Sequence, residues 1–262
     1  MSSQGQVAVT RRDRWTILAS LFALVLLAWL YLWIDAGQMD MMSTPAGDMG
    51  NGAMAPGPWR LESLLLTFLM WAVMMVGMML PSAVPAILLF SRLAKNREAA
   101  APLPAAWLFS SGYLTVWALF SLTAALLQAT FESARLLSPM LTSSSIALSA
   151  ILLMVAGIYQ WLPVKKACLE KCRSPLNFFL MHWRPDTLGA FRMGAEHGLY
   201  CVGCCWALML LLFVAGVMNL LWVALIAGFV LVEKLLPPGR LIGHLAGIGL
   251  LLIGAGLLVS SF

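Results

Sequence analysis

The five cysteines are the residues with the most specific chemistry in this 262-residue sequence. Three of them, Cys201, Cys204 and Cys205, follow His197 by four to eight positions. On a helix these four side chains share one stripe, because positions three and four apart lie on the same face. Thiolates are the ligands that select soft metals such as Cu(I), or Zn(II). The cluster therefore predicts a metal site, with small buried thiols as the structural alternative.

The other two cysteines, Cys168 and Cys172, are one helical turn apart and would face the same way on a helix. Basic residues surround them, which favours the thiolate form. A single helix cannot surround an ion, since His197 and Cys205 are separated by about 12 Å of helical rise. We therefore expect Cys168 and Cys172 to supply ligands that the first cluster lacks, with inert exposed thiols as the alternative.

Soft ligands of a second kind lie in another apolar segment. They are methionines at helical spacing, with Met70, Met74 and Met78 on one stripe and Met75 and Met79 on an adjoining stripe. Pro81 cannot donate to the carbonyl of Gly77, so a kink is expected just past the methionines. The freed carbonyls and the thioethers would form a path for a cation, with the first stripe, Met70, Met74 and Met78, as the predicted ligands. Methionine as a flexible core filler is the alternative.

Four polar residues in or beside the apolar segments complete the candidate set: Glu196, Asn219, Glu233 and Lys234. Ionisable groups within membrane spans are functional candidates by default. Near a helix end, however, such side chains can instead extend to the membrane surface.

The composition decides which class of protein carries these residues. A mean hydropathy of +0.90 with 10% charged residues excludes a soluble globular domain, which has about 25%. Seven apolar segments can be drawn: 15–34, 62–90, 105–130, 141–162, 192–216, 218–234 and 240–260. The prediction is an all-α polytopic membrane protein, a helical bundle of about seven transmembrane helices. Six helices plus a re-entrant segment is the alternative. The lipid bilayer and a soft metal ion are expected partners, and a nucleic acid is not.

The distribution of Lys and Arg predicts the orientation. If residues 1–14 are cytoplasmic, all but two of the 16 basic residues, Arg60 and Arg135, lie on the inner side. The expected organisation is then a first transmembrane helix at 15–34, a Met-rich outer loop at 35–61 and a membrane bundle at 62–262 that contains an inner loop at 163–191. In that loop, the aromatic residues of 176–183 are expected to lie in the membrane interface.

Methionine is concentrated on the opposite side from the thiols. The outer loop contains Met39, Met41, Met42, Met49 and Met54. Thioethers outside and thiolates inside would give an order of increasing ligand strength across the bilayer for Cu(I).

Several strings of the sequence carry a family resemblance. They are Trp71-Ala-Val-Met-Met-Val-Gly-Met-Met-Leu-Pro81, Pro163-Val-Lys-Lys-Ala-Cys168-Leu-x2-Cys172-Arg-Ser-Pro175, Gly198-x2-Cys201-Val-Gly-Cys204-Cys205-Trp206-Ala-Leu-Met209, Gly216-x-Met-Asn219 and Glu233-Lys234-x2-Pro237. Over roughly 60–240 the chain resembles the bacterial DUF2182 family, whose members are described as predicted metal-binding integral membrane proteins. The resemblance implies metal binding in a bacterial inner membrane, and it implies no particular substrate.

Together these features favour an inner-membrane protein that binds a soft metal through Met and Cys ligands. Cu(I) is the expected metal and Zn(II) the alternative. The protein would act in transport or in delivery, with a periplasmic metal donor or a membrane assembly partner, and these roles are favoured over catalysis. Two further functions stay open: a membrane thiol-disulfide oxidoreductase that uses the same cysteines, and a non-catalytic assembly subunit.

Overall fold

The structure is a computed structural model that describes residues 11–43, 61–96, 101–137, 143, 145–181, 183–184 and 186–260. The regular elements within these ranges are α-helices. They are α1 (Arg11–Ser43), α2 (Leu61–Asn96), α3 (Pro102–Ser133), α4 (Ile146–Tyr159), α5 (Pro163–Arg173), α6 (Pro175–Met181), α7 (Thr187–Met209), α8 (Leu212–Ala215), α9 (Leu220–Leu235) and α10 (Gly239–Ser260). The predicted fold class, an all-α polytopic bundle, is confirmed.

Each of the seven predicted segments contains a helix. Five helical stretches are long and apolar enough to cross a membrane: α1, α2, α3, Leu188–Ala215 and α10. Helices α4 and α5 form a sixth candidate, bent by 64° between them, which is the geometry of a broken span or a re-entrant loop. Helix α9 has 16 residues, so it is the short segment that the sequence predicted.

The first helix is longer than its predicted span of 15–34. It continues to Ser43 and so takes in the first part of the predicted outer loop. The single Gly37 does not end the helix, because one glycine costs only about 1 kcal/mol relative to alanine. The rest of that loop, 44–60 with Met49 and Met54, lies outside the described residues.

The predicted inner loop at 163–191 is largely helical. Helices α5 and α6 each begin with a proline, which suits the first helical position because its fixed φ matches the helix and its missing N–H is not needed there. The two helices are joined at Ser174. The segment predicted as an inner loop therefore contains a pair of short helices that pack against the bundle.

Helix α6 contributes to the core. Phe178 and Phe179 are 1% and 0% exposed, and the ring of Phe179 lies 5.5 Å from that of Phe90 on α2. The expectation that these aromatic residues lie in the membrane interface is therefore wrong. Their burial inside the bundle removes large apolar surfaces from both water and lipid headgroups.

Helices α3 and α7 approach each other closely through glycines. A Cβ atom at Gly112 would meet the carbonyl oxygen of Phe191, and one at Gly194 would meet the carbonyl oxygen of Phe109. Small residues at such crossings let two membrane helices pack backbone to backbone. This packing places Tyr113 of α3 beside the cysteines of α7.

Candidate metal centre

Three thiols lie in the packed interior of the bundle on α7. Cys201, Cys204 and Cys205 are 1%, 1% and 0% exposed. The Cys204 and Cys205 thiols donate to the carbonyl oxygen of Cys201, at 3.1 and 2.9 Å. Such bonds to a carbonyl three or four residues earlier hold both sulfur atoms close to the helix that carries them. The predicted stripe of thiols is therefore a buried feature.

The second thiol pair lies on α5, which packs against α7. The Cys172 thiol lies close enough to the thiols of Cys201 and Cys204 to interact with them. Gly203 lets α5 approach α7 closely, because a Cβ atom there would lie 2.8 Å from the Cys168 sulfur. The structure thus brings together the two clusters that are about 30 residues apart in sequence. Cys168 and Cys172 remain half-buried, so this side of the group lies nearer the surface.

A thioether from α2 adjoins the thiols. The Sδ atom of Met79 lies 3.9 Å from the Sγ atom of Cys205. All five methionines of the segment are buried, at exposures of 6% or less: Met70, Met74, Met75, Met78 and Met79. The residue in contact with the thiols belongs to the second stripe, and the sequence favoured the first.

The backbone of α2 offers no open ligand at Gly77. The helix is continuous across Pro81, and the Gly77 carbonyl freed by that proline accepts a hydrogen bond from the Trp29 indole at 3.3 Å. This freed carbonyl is therefore already paired, and its role as a cation ligand stays a prediction. An unpaired carbonyl in a membrane interior is costly, and the indole N–H of α1 satisfies it.

A buried cation lies against the thiols. The Lys234 ammonium donates to the Cys201 sulfur at 2.8 Å and to the Ser82 hydroxyl at 3.2 Å, and the residue is 6% exposed. Lys234 therefore does not extend to the membrane surface. The Tyr113 hydroxyl completes this shell, 3.0 Å from the Cys201 sulfur and 3.1 Å from the Met79 carbonyl oxygen.

The neighbour of Lys234 is part of a second polar group. Glu233 forms an ion pair with Lys165 of α5 at 2.8 Å, and the two side chains are 2% and 3% exposed. Lys165 also donates to the amide oxygen of Gln160, at the end of α4. The pair therefore joins α5, which carries Cys168 and Cys172, to α9, which carries Lys234. Tyr113, Ser82 and Lys165 were not among the predicted site residues.

His197 lies one turn before Cys201 in an aromatic environment. It is 3% exposed and its ring packs against those of Phe109, Tyr113 and Phe178, with centroids about 6 Å away. Its Nδ1 atom has no hydrogen-bond partner among the residues that the structure describes. A buried ring nitrogen with a free lone pair is chemically available as a ligand.

The two remaining predicted residues have clear local partners. The Glu196 carboxylate pairs with Arg184 at 3.1 Å in a partly exposed position. The side-chain oxygen of Asn219 accepts from the backbone N–H of Trp222 at 3.2 Å and so caps the start of α9. An N-cap asparagine satisfies one of the otherwise unpaired N–H groups of a helix.

The donor set is compatible with Cu(I), since thiols and thioethers are soft donors of the kind that select this ion. Structural Zn(II) sites are almost always tetrahedral, with four ligands. Across the described residues, no group of three or more His, Cys, Asp or Glu side chains is arranged to hold an ion. This part of the chain therefore has soft donors in contact and no preformed four-ligand site for Zn(II).

A comparison with known families bears on the same residues. The family model described as PpoB2: Copper chaperone matches residues 68–257, a range that contains the α2 methionines, both cysteine clusters and Lys234. A copper family is compatible with the metal-binding membrane family that the sequence resembles. No curated protein and no solved structure matches the chain.

Proposed function

Since the chain belongs to the PpoB2 copper-chaperone family, we propose that it is a membrane chaperone that carries Cu(I) on buried sulfur ligands. The cargo ion would be held by two thiolates from the group of Cys201, Cys204, Cys205 and Cys172, with Met79 beside them. The observation that carries the proposal is the convergence of thiols from α5 and α7 with a thioether from α2 in one interior. Cysteines that served only as small buried side chains would not require sulfur atoms from three helices to lie together.

The arrangement supports a direction of approach along α2. From Met70 to Met79 the buried methionines extend over about 14 Å of helical rise, and they end at Cys205. Thioethers bind Cu(I) without a charge and release it readily, whereas thiolates hold it as charged ligands. Cu(I) would therefore pass from Met70, Met74 and Met78 to Met79 and the thiols. His197, with its free nitrogen, is placed to assist at Cys201.

The half-buried thiols are placed to release the ion. Cys168 and Cys172 are the less buried members of the sulfur group, and they lie on α5, the helix that follows the 64° bend. A partner protein could take Cu(I) from them by ligand exchange without entering the core. We assign the exit to the cytoplasmic side of a bacterial inner membrane and the outer loop at 35–61 to the periplasmic side, where a metal donor or an assembly partner would meet it.

Copper titration of the purified protein tests the proposal. The variant Cys201→Ser/Cys204→Ser/Cys205→Ser is expected to lose tight Cu(I) binding, whereas Ala207→Ser is expected to keep it. Ala207 is 1% exposed on the same helix, so its variant adds a buried hydroxyl and keeps every thiol. Equal Cu(I) affinity in the triple variant and the wild type, with both folded, would overturn the proposal.

A thiol–disulfide exchange function is the second candidate. The proximity of the Cys172 and Cys201 thiols favours it, since a disulfide between α5 and α7 would form there if an oxidant, such as a disulfide-bonded partner protein, took up two electrons and two protons. The oxidised protein would then react with a dithiol substrate by thiol–disulfide exchange, which leaves the disulfide on the substrate and returns Cys172 and Cys201 to thiols. Trapping of a substrate on Cys172 in a Cys201→Ser variant, with no copper bound by the wild type, would support this function over the chaperone.

A further inference from the structure

A strongly basic cavity lies at one end of the bundle, away from the sulfur ligands. It has a volume of about 480 Å³ and lies between the N-terminal end of α1 and the C-terminal end of α2. Its lining consists of Arg11, Arg14, Trp15, Leu18 and Arg92. Three guanidinium groups from two helices thus surround one space, with an indole and an aliphatic side chain completing its wall.

The charge of this cavity is not neutralised by its own neighbours. In the part of the chain that the structure describes, none of Arg11, Arg14 and Arg92 forms an ion pair. The nearest acidic residue in sequence, Asp13, lies 3.8 Å from the Lys95 ammonium. Grouped guanidinium groups repel one another, so an anion of matching geometry would stabilise this arrangement.

The exposed face of α1 shows the depth at which the cavity lies. Trp15, Phe22, Leu26 and Trp33 share one face of the helix and are 64%, 63%, 52% and 72% exposed. The two tryptophans are separated by about 27 Å of rise, close to the thickness of a bilayer's hydrocarbon core. Tryptophans at that spacing mark the two membrane–water interfaces. The arginines next to Trp15 therefore lie at the level of the lipid headgroups.

We propose that this cavity binds the phosphate of an anionic phospholipid. The guanidinium groups would hold the phosphate oxygens through paired N–H donors, and the acyl chains would lie along the exposed apolar face of α1 that begins at Trp15. Free inorganic phosphate shares the same headgroup chemistry. The cavity is continuous with the exposed apolar face of α1. This continuity assigns the site to a lipid, because a free anion would gain nothing from the apolar side chains of Trp15 and Leu18.

Lipid retention by the full chain tests the assignment. Protein in detergent is mixed with phosphatidylglycerol, with phosphatidylethanolamine or with inorganic phosphate, and bound species are counted by native mass spectrometry. The expected result is specific retention of phosphatidylglycerol. Arg14→Gln and Arg92→Gln should each weaken it about fivefold, and the double variant on the order of 30-fold. Arg12→Gln is the matched control, because Arg12 is exposed on the same turn and does not line the cavity.

Three results would overturn the assignment. Equal retention of the two lipids would show that the arginines do not select for charge. An equal loss in Arg12→Gln would show a diffuse surface attraction without a site. Displacement of phosphatidylglycerol by millimolar inorganic phosphate would show a site for the free anion. The thermal midpoint of each variant is measured alongside, and Arg92→Lys, which keeps the charge and loses the paired N–H donors, is expected to retain more lipid than Arg92→Gln and less than the wild type.

Discussion

At the scale of single residues, the charge next to the thiols has a direct consequence for copper. A Cu(I) ion held by two thiolates carries one net negative charge, which is costly in a membrane interior. The Lys234 ammonium, 2.8 Å from the Cys201 sulfur, is placed to neutralise it. Its role differs from that of a ligand: it would keep the loaded site uncharged.

Replacement of Lys234 by leucine should therefore weaken Cu(I) binding and leave the sulfur ligands unchanged. A hydrogen bond to a charged group contributes about 1.5–3 kcal/mol, so the expected loss of affinity is at least about tenfold. Competition titration against a Cu(I) chelator measures it. Lys166→Leu removes an exposed lysine of α5 and is the matched control. Unchanged affinity in Lys234→Leu would assign Lys234 a structural role only.

A substitution at Met79 distinguishes a metal path along α2 from simple packing of its methionines. Leucine has a similar volume and no sulfur, so Met79→Leu should change stability by less than about 1.5 kcal/mol. If Met79 acts beside Cys205, Cu(I) affinity should fall about tenfold, as for groups that contact metal ligands. Met154→Leu, at the contact of α4 with Gly254, is the control. The same affinity in both variants would assign the α2 methionines to packing.

Part of this residue-level arrangement could be predicted from the sequence. The spacing of Cys201, Cys204 and Cys205 gives their common face, and the ligand count requires a second segment, which the structure supplies as Cys172. Whether the Met78 stripe or the Met79 stripe faces the thiols depends on how α2 is rotated about its axis relative to α7. The spacing of residues within α2 does not determine that rotation. Tyr113 lies 88 residues from Cys201 in sequence, and nothing in its own segment indicates the contact.

At the scale of helices, the position of α5 depends on one buried ion pair. Lys165 of α5 and Glu233 of α9 are both at most 3% exposed. Removing one member of such a pair leaves an uncompensated charge in the core. Since α5 carries Cys168 and Cys172, the same ion pair also determines whether these thiols reach α7.

Glu233→Gln should therefore destabilise the protein by about 3–5 kcal/mol, and a Lys165→Met/Glu233→Leu double variant should recover much of that loss. Thermal unfolding in detergent measures both. The exposed pair of Glu170 and Arg240 provides the contrast, because Glu170→Gln should cost no more than about 1 kcal/mol. Equal effects of the two single substitutions would contradict a clamping role for the buried pair.

The helical course of 163–181 shows what local sequence cannot give. Four basic residues in 163–173 favour a loop, yet α5 is amphipathic, with Lys165 and Leu169 buried and most other residues exposed. The charge of Lys165 is tolerated in the interior only because Glu233 meets it from 68 residues away. By contrast, the long apolar segments were predictable, since each satisfies its own backbone hydrogen bonds as a helix in lipid.

At the scale of the whole molecule, the tryptophans of α1 indicate its depth in the membrane and the basic residues predict its orientation. Arg11, Arg14 and Arg92 meet at one end of the bundle, beyond Trp15. The positive-inside rule predicts that this end lies in the cytoplasm. The number of crossings then decides where the other end of the chain lies, and the uncertain member is α9, whose 16 residues give only about 24 Å of rise.

If α9 crosses together with the α4–α5 pair, the chain makes seven crossings and residues 12 and 260 lie on opposite sides. Single cysteines at Arg12 and Ser260, each in a cysteine-free variant, can be labelled on intact spheroplasts with a membrane-impermeant maleimide. Ser260→Cys should react at once and Arg12→Cys only after lysis, with Lys95→Cys as the inner-side control. Labelling of neither terminal position before lysis would mean six crossings. In that case α9 or the bent pair would be re-entrant, and the buried Glu233 and Lys234 would approach the sulfur ligands from a helix that turns back within the membrane.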